Sequence, residues 1–88
     1  MDTERIRSLL EEAERILDPV RNKVSAAYGD LQTLVKYPLE AGPGVEFEVN
    51  VKALQRNLGQ YAPTLPEAET AMVTLAHVLE EYNQLTKE

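Results

Sequence analysis

The chain has no cysteine and no tryptophan, and it has a single phenylalanine and a single histidine among its 88 residues. The absence of cysteine excludes disulfide bonds and thiolate metal sites. No apolar run approaches the length of about 18 residues that crosses a bilayer. The sequence starts Met-Asp-Thr-Glu, without the basic segment and apolar core of a secretory signal. We therefore expect a cytoplasmic protein with no membrane partner.

Positive charge is also scarce, because nine Lys and Arg residues face fifteen Asp and Glu residues, for a net charge of −6. The basic residues are scattered and form no cluster, so electrostatic attraction to a polyanion is weak. We expect no nucleic-acid partner. Apolar residues make up 43% of the chain, which is too much for a disordered protein. At this length the chain forms one domain, residues 1–88.

A long apolar stripe dominates the first part of the chain. From Ile6 to Leu34 an apolar residue recurs at alternating spacings of four and three, which is the period of an amphipathic helix. Tyr37 precedes Pro38, and a residue before proline is displaced from the helical region. The pattern predicts a helix over about 3–37. Its stripe is Ile6, Leu10, Ala13, Leu17, Val20, Val24, Ala27, Leu31 and Leu34.

Pro19 lies in the interior of this predicted helix, opposite the stripe. In a helix interior, proline removes one backbone hydrogen bond and clashes with the carbonyl four residues earlier, here that of Arg15. Because the stripe keeps its phase across Pro19, we predict one helix that is kinked there. Asp18 and Pro19 would also serve as the cap and first residue of a new helix. Two helices, over 3–17 and 19–37, therefore remain an alternative.

The middle of the chain changes pattern at residues 38–50. Proline and glycine first mark a loop, and then apolar residues at 45, 47, 49 and 51 alternate with polar ones, as in a half-buried strand. A lone strand is unstable. The segment is thus predicted to be extended, either paired with another chain or lying as a loop against the bundle.

Two further helices complete the predicted fold. Asn50 is placed to cap a short helix over about 51–60. Thr64 and Glu67 match a capping box, which predicts a last helix over about 65–86. The fold class is mainly α: a small helical bundle with a long, kinked N-terminal helix and a short extended segment.

No residue pattern indicates catalysis. His77 precedes Glu80 by three positions, a spacing that could hold a metal, but His77 lies opposite the apolar stripe of its helix and is expected to face solvent. The acidic pair Glu11–Glu12 is followed by Arg15 where a third carboxylate would be needed. We expect no enzymatic activity, no cofactor, no metal ligand and no catalytic residue.

The functional hypothesis rests on the length of the predicted first helix. A straight helix over 3–37 would span about 50 Å, whereas a compact chain of this size has a diameter near 30 Å, so a second subunit or a fold-back at Pro19 must cover it. We predict a non-enzymatic, acidic interaction module (adaptor, assembly factor or regulator), homodimeric and binding an unidentified protein. The predicted interface consists of Val24, Tyr28, Leu31, Val35, Tyr37, Phe47 and Val49.

Two alternatives stay open at this point. The helix over 51–60 offers Lys52, Gln55, Arg56 and Asn57, a set that could read base edges, which would make the protein a nucleic-acid-binding regulator. A small metal-dependent hydrolase assembled across a dimer is the other. Duplex DNA binding would favour the first, and stabilisation by magnesium or manganese the second.

Overall fold

The long apolar stripe is divided between two helices. A computed structural model describes residues 3–36 and 45–86, with the side chains of 4–36 and 46–85. Within these ranges there are four α-helices and no strand. The fold is therefore an all-helical bundle, as the composition and periodicity predict. The helices are α1 (Thr3–Leu17), α2 (Ser25–Lys36), α3 (Val45–Gly59) and α4 (Pro66–Thr86), and one 3-10 turn (Asp18–Val20) follows α1.

The helix is interrupted at Pro19, so the prediction of one kinked helix is wrong. Helix α1 ends at Leu17, and the α-helical hydrogen bonds stop there because Pro19 has no N–H to donate. In the turn that follows, the N–H of Lys23 donates to the carbonyl of Val20 at 2.8 Å. The alternative of two helices has the break in the right place, but α2 starts at Ser25 and not at residue 19.

A polar cluster holds the bend. The Tyr28 hydroxyl donates a hydrogen bond to Oδ1 of Asp18 at 3.1 Å, and Nη1 of Arg21 donates to the Asp18 carbonyl at 2.9 Å. In a straight helix, positions ten apart would be separated by about 15 Å along the axis. Helix α2 therefore turns back toward α1. A hollow of about 280 Å³ lies at the bend, lined by Glu14, Arg15, Asp18 and Tyr28.

The polar cluster at the bend also shifts the pKa of Tyr28. Desolvation raises the pKa of Tyr28 above its ordinary value of 10.0, and the hydrogen bond to Asp18 and the negative charges of Asp18 and Glu14 act in the same direction. The positive charge of Arg21 opposes this shift. The bend thus favours the neutral phenol.

Both halves of the stripe are buried in one core. Helix α1 packs mainly on α4, and α4 also contacts α3. The described residues have a radius of gyration of 12.2 Å and extents of 39 × 20 × 18 Å, so no 50 Å helix is present in them. Of the two arrangements expected to cover the stripe, a second subunit or a fold-back at Pro19, the described chain has the fold-back. The stripe residues that are at most 8% exposed are Ile6, Leu10, Ala13, Leu17, Val24, Ala27, Leu31 and Leu34.

Residues 45–50, predicted to be extended, are the start of α3, so the prediction is wrong for them in both its forms. The predicted loop over 38–44 lies outside the described residues. Phe47 is buried, and its ring centroid lies 5.0 Å from that of Tyr82 on α4. Phe47 and Val51 are four positions apart and share the buried side of the helix. Val49, on the opposite side, is 51% exposed. Asn50 lies inside α3 and does not cap a helix at 51.

The last helix agrees with its prediction to within one residue. Helix α4 begins at Pro66, and the carbonyl of Leu65 accepts the N–H of Ala68, which makes Leu65 the N-cap. Proline suits the first helical position because its missing N–H would have had no partner there. The predicted capping box differs from the structure, since the Thr64 hydroxyl donates to the carbonyl of Tyr61 at 3.3 Å.

Candidate interaction surface on helices α3 and α4

Helices α3 and α4 run antiparallel and lie close together. Phe47 meets Tyr82 near the start of α3, and Gln55 meets Met72 further along it. Nε2 of Gln55 donates to the Met72 carbonyl at 3.1 Å. A Cβ on Gly59 would lie 3.7 Å from Cε of Met72, which is ordinary van der Waals contact. These contacts fix the register of the two helices.

A groove of about 680 Å³ follows the seam between the two helices. It is open to solvent and its surface is mostly apolar. The residues contributed by α3 recur at spacings of three and four, so they lie on one side of that helix. The groove is lined by Lys52, Gln55, Arg56, Gly59 and Met72.

Two exposed valines lie on the helices that border the groove. Val49 is 51% exposed and Val73 is 53% exposed, and both are large apolar residues on helices that border the groove. Val49 precedes Lys52 by three positions and lies on the same side of α3. Val73 is next to Met72 in the sequence and points about 100° further round α4. We refer to the groove together with these two valines as the α3–α4 face.

The α3–α4 face carries positive charge on an acidic protein. Nζ of Lys52 lies 3.5 Å from Oε1 of Glu48, which neutralises part of its charge. Arg56 is exposed and forms no ion pair with any residue that the structure describes. Its guanidinium is thus available to a carboxylate on a ligand.

The residues predicted as a dimer interface do not form one exposed surface. Val24, Leu31 and Phe47 are buried in the core of their own chain. Tyr28 and Val35 are half-buried against that core, and Tyr37 lies outside the described residues. Of the predicted set, Val49 lies on the α3–α4 face.

The contribution of α4 to this face does not follow from helical periodicity. The periodicity places Met72 in the core stripe of α4, whereas Met72 is only partly buried and lines the groove. Val73 lies outside that stripe. Its signal is a large apolar residue opposite the Leu75 and Leu79 stripe, where a soluble helix ordinarily carries polar residues.

The proposed base-reading residues are only partly available for such a role. The amide of Gln55 is committed to the Met72 carbonyl and is partly buried. Asn57 is half-buried, whereas Lys52 and Arg56 are exposed. A recognition helix presents several side chains together to the base edges, and here two of the four are exposed, of which Lys52 is paired with Glu48.

The described ranges offer no metal-binding cluster and no membrane span. His77 is exposed, as predicted. In residues 3–36 and 45–86, no group of three or more His, Cys, Asp or Glu residues is placed to hold a metal ion. None of the helices in these ranges is both long and apolar enough to cross a membrane.

Comparison with known proteins gives no match: no protein-family model, no curated protein and no solved structure matches this chain.

Proposed function

We propose that this chain is a non-enzymatic helical interaction module whose α3–α4 face binds an amphipathic helix of another protein, with acidic residues along the rim of that helix. The observation that carries the proposal is the apolar groove lined by α3 and α4 residues, with the exposed guanidinium of Arg56 in its lining and the exposed Val49 and Val73 on the two helices that border it. A contiguous apolar surface rimmed by polar residues is typical of protein-binding sites.

The shape of the face favours a helix over a small molecule. Small-molecule sites enclose most of the ligand, whereas this groove is open to solvent and lies between two antiparallel helices. An amphipathic helix places apolar side chains at i, i+3, i+4 and i+7 into such a seam. The valines on α3 and α4 would then contact the two flanks of the bound helix.

The charges favour an acidic rim on that helix. Arginine forms two parallel hydrogen bonds with a carboxylate, and Lys52 lies one turn away from Arg56. The net charge of −6 repels an acidic partner at long range. At physiological salt this repulsion is screened beyond about 8 Å, while contact pairs at the groove are screened less.

A second copy of the chain suits this face less well than a different protein does. A two-fold interface places the same patch of each subunit against its counterpart. The two faces, each with Lys52 and Arg56, would then meet, and like charges at an interface oppose association. The homodimer expected from helix length therefore requires a different basis.

The test is selection of helical peptides from a displayed library. The peptides carry leucine at i, i+3, i+4 and i+7 and randomised rim positions, and they are selected on the wild-type protein. Selection should enrich Asp and Glu at the rim. Arg56→Glu should weaken binding of the enriched peptides by about tenfold or more, since losing a close charge pair costs at least 1.4 kcal/mol or so.

Matched variants separate the face from the rest of the fold. Val49→Asp and Val73→Asp should each abolish binding, whereas Gln32→Glu, on the exposed side of α2, should leave binding unchanged. Circular dichroism checks that every variant remains folded. Failure to enrich any helical peptide, or binding that is indifferent to Arg56 and both valines, would refute the proposal.

A further inference from the structure

The break between α1 and α2 is close to being a helix. Leu17 has φ −84° and ψ −15°, and Arg21 has φ −54° and ψ −32°, so both residues already have right-handed helical backbone. The 3-10 turn lies between them. Between this turn and Ser25, where α2 begins, residues 21–24 form turns.

The apolar pattern would survive straightening. Leu17 and Val24 are seven positions apart, which is nearly two turns of an α-helix. A continuous helix over 3–36 would therefore present one unbroken apolar stripe. The same stripe serves both the bent and the straight chain.

We infer that two copies of this chain exchange helix α1 by straightening the break, so that α1 of each copy packs on α4 of the other. A straight helix over 3–36 would be about 51 Å long, which exceeds the 39 Å long axis of the bent chain. Straightening thus carries α1 beyond its own bundle. The vacated surface of α4 fits α1 of the second copy, because the two surfaces have the same residues in either arrangement.

Exchange preserves most of the interactions that hold the bent chain together. The packing of α1 on α4, including the ion pair of Arg5 and Glu81 at 2.9 Å, forms again between the two copies. Straightening breaks the Tyr28–Asp18 hydrogen bond at the bend. In return, backbone N–H and C=O groups of the break form α-helical hydrogen bonds. The exception is the carbonyl of Arg15, because Pro19 has no N–H to donate to it.

Two substitutions in the break act in opposite directions. Pro19→Ala supplies the missing N–H and removes the proline clash, which favours the straight form. Ser25 is exposed and is the first residue of α2, a position at which proline is tolerated. Ser25→Pro therefore leaves the bent form intact, whereas it places a proline in the interior of the straight helix.

Sedimentation at millimolar concentration is the first measurement. We expect Pro19→Ala to form a dimer of twice the 9.9 kDa chain mass. Adding Ser25→Pro should raise its dissociation constant by about a hundredfold or more, since an interior proline disfavours each straightened helix by that factor. Helicity measured at low concentration should be the same in all variants.

Crosslinking identifies how the dimer is joined. The chain has no cysteine, so Arg5→Cys and Glu81→Cys can be introduced as the only two thiols. A short bismaleimide should join them within one chain in the monomer and between chains in the exchanged dimer. The fraction of covalent dimer on a denaturing gel should then equal the dimer fraction from sedimentation.

Three results would overturn the inference: a monomeric Pro19→Ala variant at millimolar concentration, a dimer whose crosslinks all lie within chains, or a dimer that Ser25→Pro does not weaken. Val73→Asp, which disables the proposed peptide-binding face, should leave the exchanged dimer unchanged. Loss of the dimer in Val73→Asp would assign the dimer to the α3–α4 face and not to exchange.

Discussion

At the scale of single residues, Phe47 is the buried side chain near the start of α3, and the residues at 48–50 that follow it are polar or exposed. It is 8% exposed and stacks near Tyr82. Phe47→Ala should lower the free energy of unfolding by about 3–4 kcal/mol, because it removes a buried ring and leaves a cavity. Urea denaturation measures the change.

Val49 provides the control within the same helix. It is 51% exposed, so Val49→Ala removes little buried surface and should alter the unfolding free energy by about 0.5 kcal/mol or less. Equal losses in Phe47→Ala and Val49→Ala would contradict the helical assignment, since both side chains would then share one buried side as in a strand.

Tyr28 gives the bend a dependence on pH. Its pKa is raised in the folded chain, mainly by desolvation and also by Asp18. The folded chain therefore stabilises the neutral phenol relative to the phenolate. Its contribution to stability is complete below pH 10, the ordinary pKa, and is lost as pH rises through the higher folded value. Tyr28→Phe should remove this loss.

The measurement compares the denaturation midpoints of the two proteins between neutral and strongly alkaline pH. At neutral pH Tyr28→Phe should cost about 0.5–1.5 kcal/mol, the usual value of one hydrogen bond. The difference between the proteins should shrink as pH rises above 10, the ordinary pKa of the phenol. A constant difference across the range would show that folding does not raise the pKa of Tyr28.

At the scale of elements, α3 shows why a short alternating pattern is ambiguous. The residues at 45, 47, 49 and 51 alternate with polar ones, but Phe47 and Val51 also begin a helical series that continues to Leu54 and Leu58. Both series have four members, but the helical series extends over 47–58 and the alternation over 45–51, and the longer series determines the structure. Glu46 and Glu48, which would form the polar side of a strand, are acidic residues in the first turn of a helix.

This placement predicts a cost for reversing those charges. Replacing Glu46 and Glu48 with Lys should lower the unfolding free energy by about 1–2 kcal/mol at low salt, since positive charge opposes the helix dipole there and the Glu48–Lys52 pair is lost. In 1 M salt the loss of unfolding free energy should be smaller, because charges more than about 3 Å apart are then largely screened.

Glu80→Lys is the matched control. Glu80 is exposed and lies in the interior of α4, away from both helix ends, so its reversal should change stability by about 0.5 kcal/mol or less. A double Lys variant that is as stable as wild type would indicate that α3 begins after residue 48.

The phase of the stripe does not distinguish a kink from a break. The segment between Leu17 and Val24 preserves the helical register whether or not it is helical, since seven residues are nearly two turns. Burial of the stripe is therefore predictable from sequence, whereas the direction of α2 is not. That direction brings Tyr28 into contact with Asp18 and the buried residues of α2 into the core, which no local pattern encodes.

The candidate site is less predictable from sequence than the core. The alternation at 45–51 singles out Val49, although as part of a strand, and the charge of Arg56 is evident from its residue type. The groove, however, depends on the register of α3 against α4, which the Gln55–Met72 hydrogen bond sets across 17 positions of sequence. Helical periodicity identifies which side of a helix is buried, but it does not identify which neighbour covers it.

At the scale of the whole molecule, the bend makes the described chain short enough to be a monomer. Small-angle scattering at low concentration should give a radius of gyration close to the 12.2 Å of the described Cα atoms, with a small addition for side chains and solvent. A maximum dimension above about 50 Å in a monodisperse monomer would indicate the straight helix and would contradict the folded-back arrangement.

The carbonyl of Met72 has a spectroscopic consequence. It belongs to the backbone ladder of α4 and also accepts the amide of Gln55 at 3.1 Å, so both of its lone pairs are engaged. A second hydrogen bond weakens a C=O bond and lowers its stretching frequency. A ¹³C label at Met72 should therefore absorb below a label at an ordinary α4 position, and Gln55→Leu should remove the difference. Because Met72 lines the groove, its infrared band would report an occupied α3–α4 face without any attached dye.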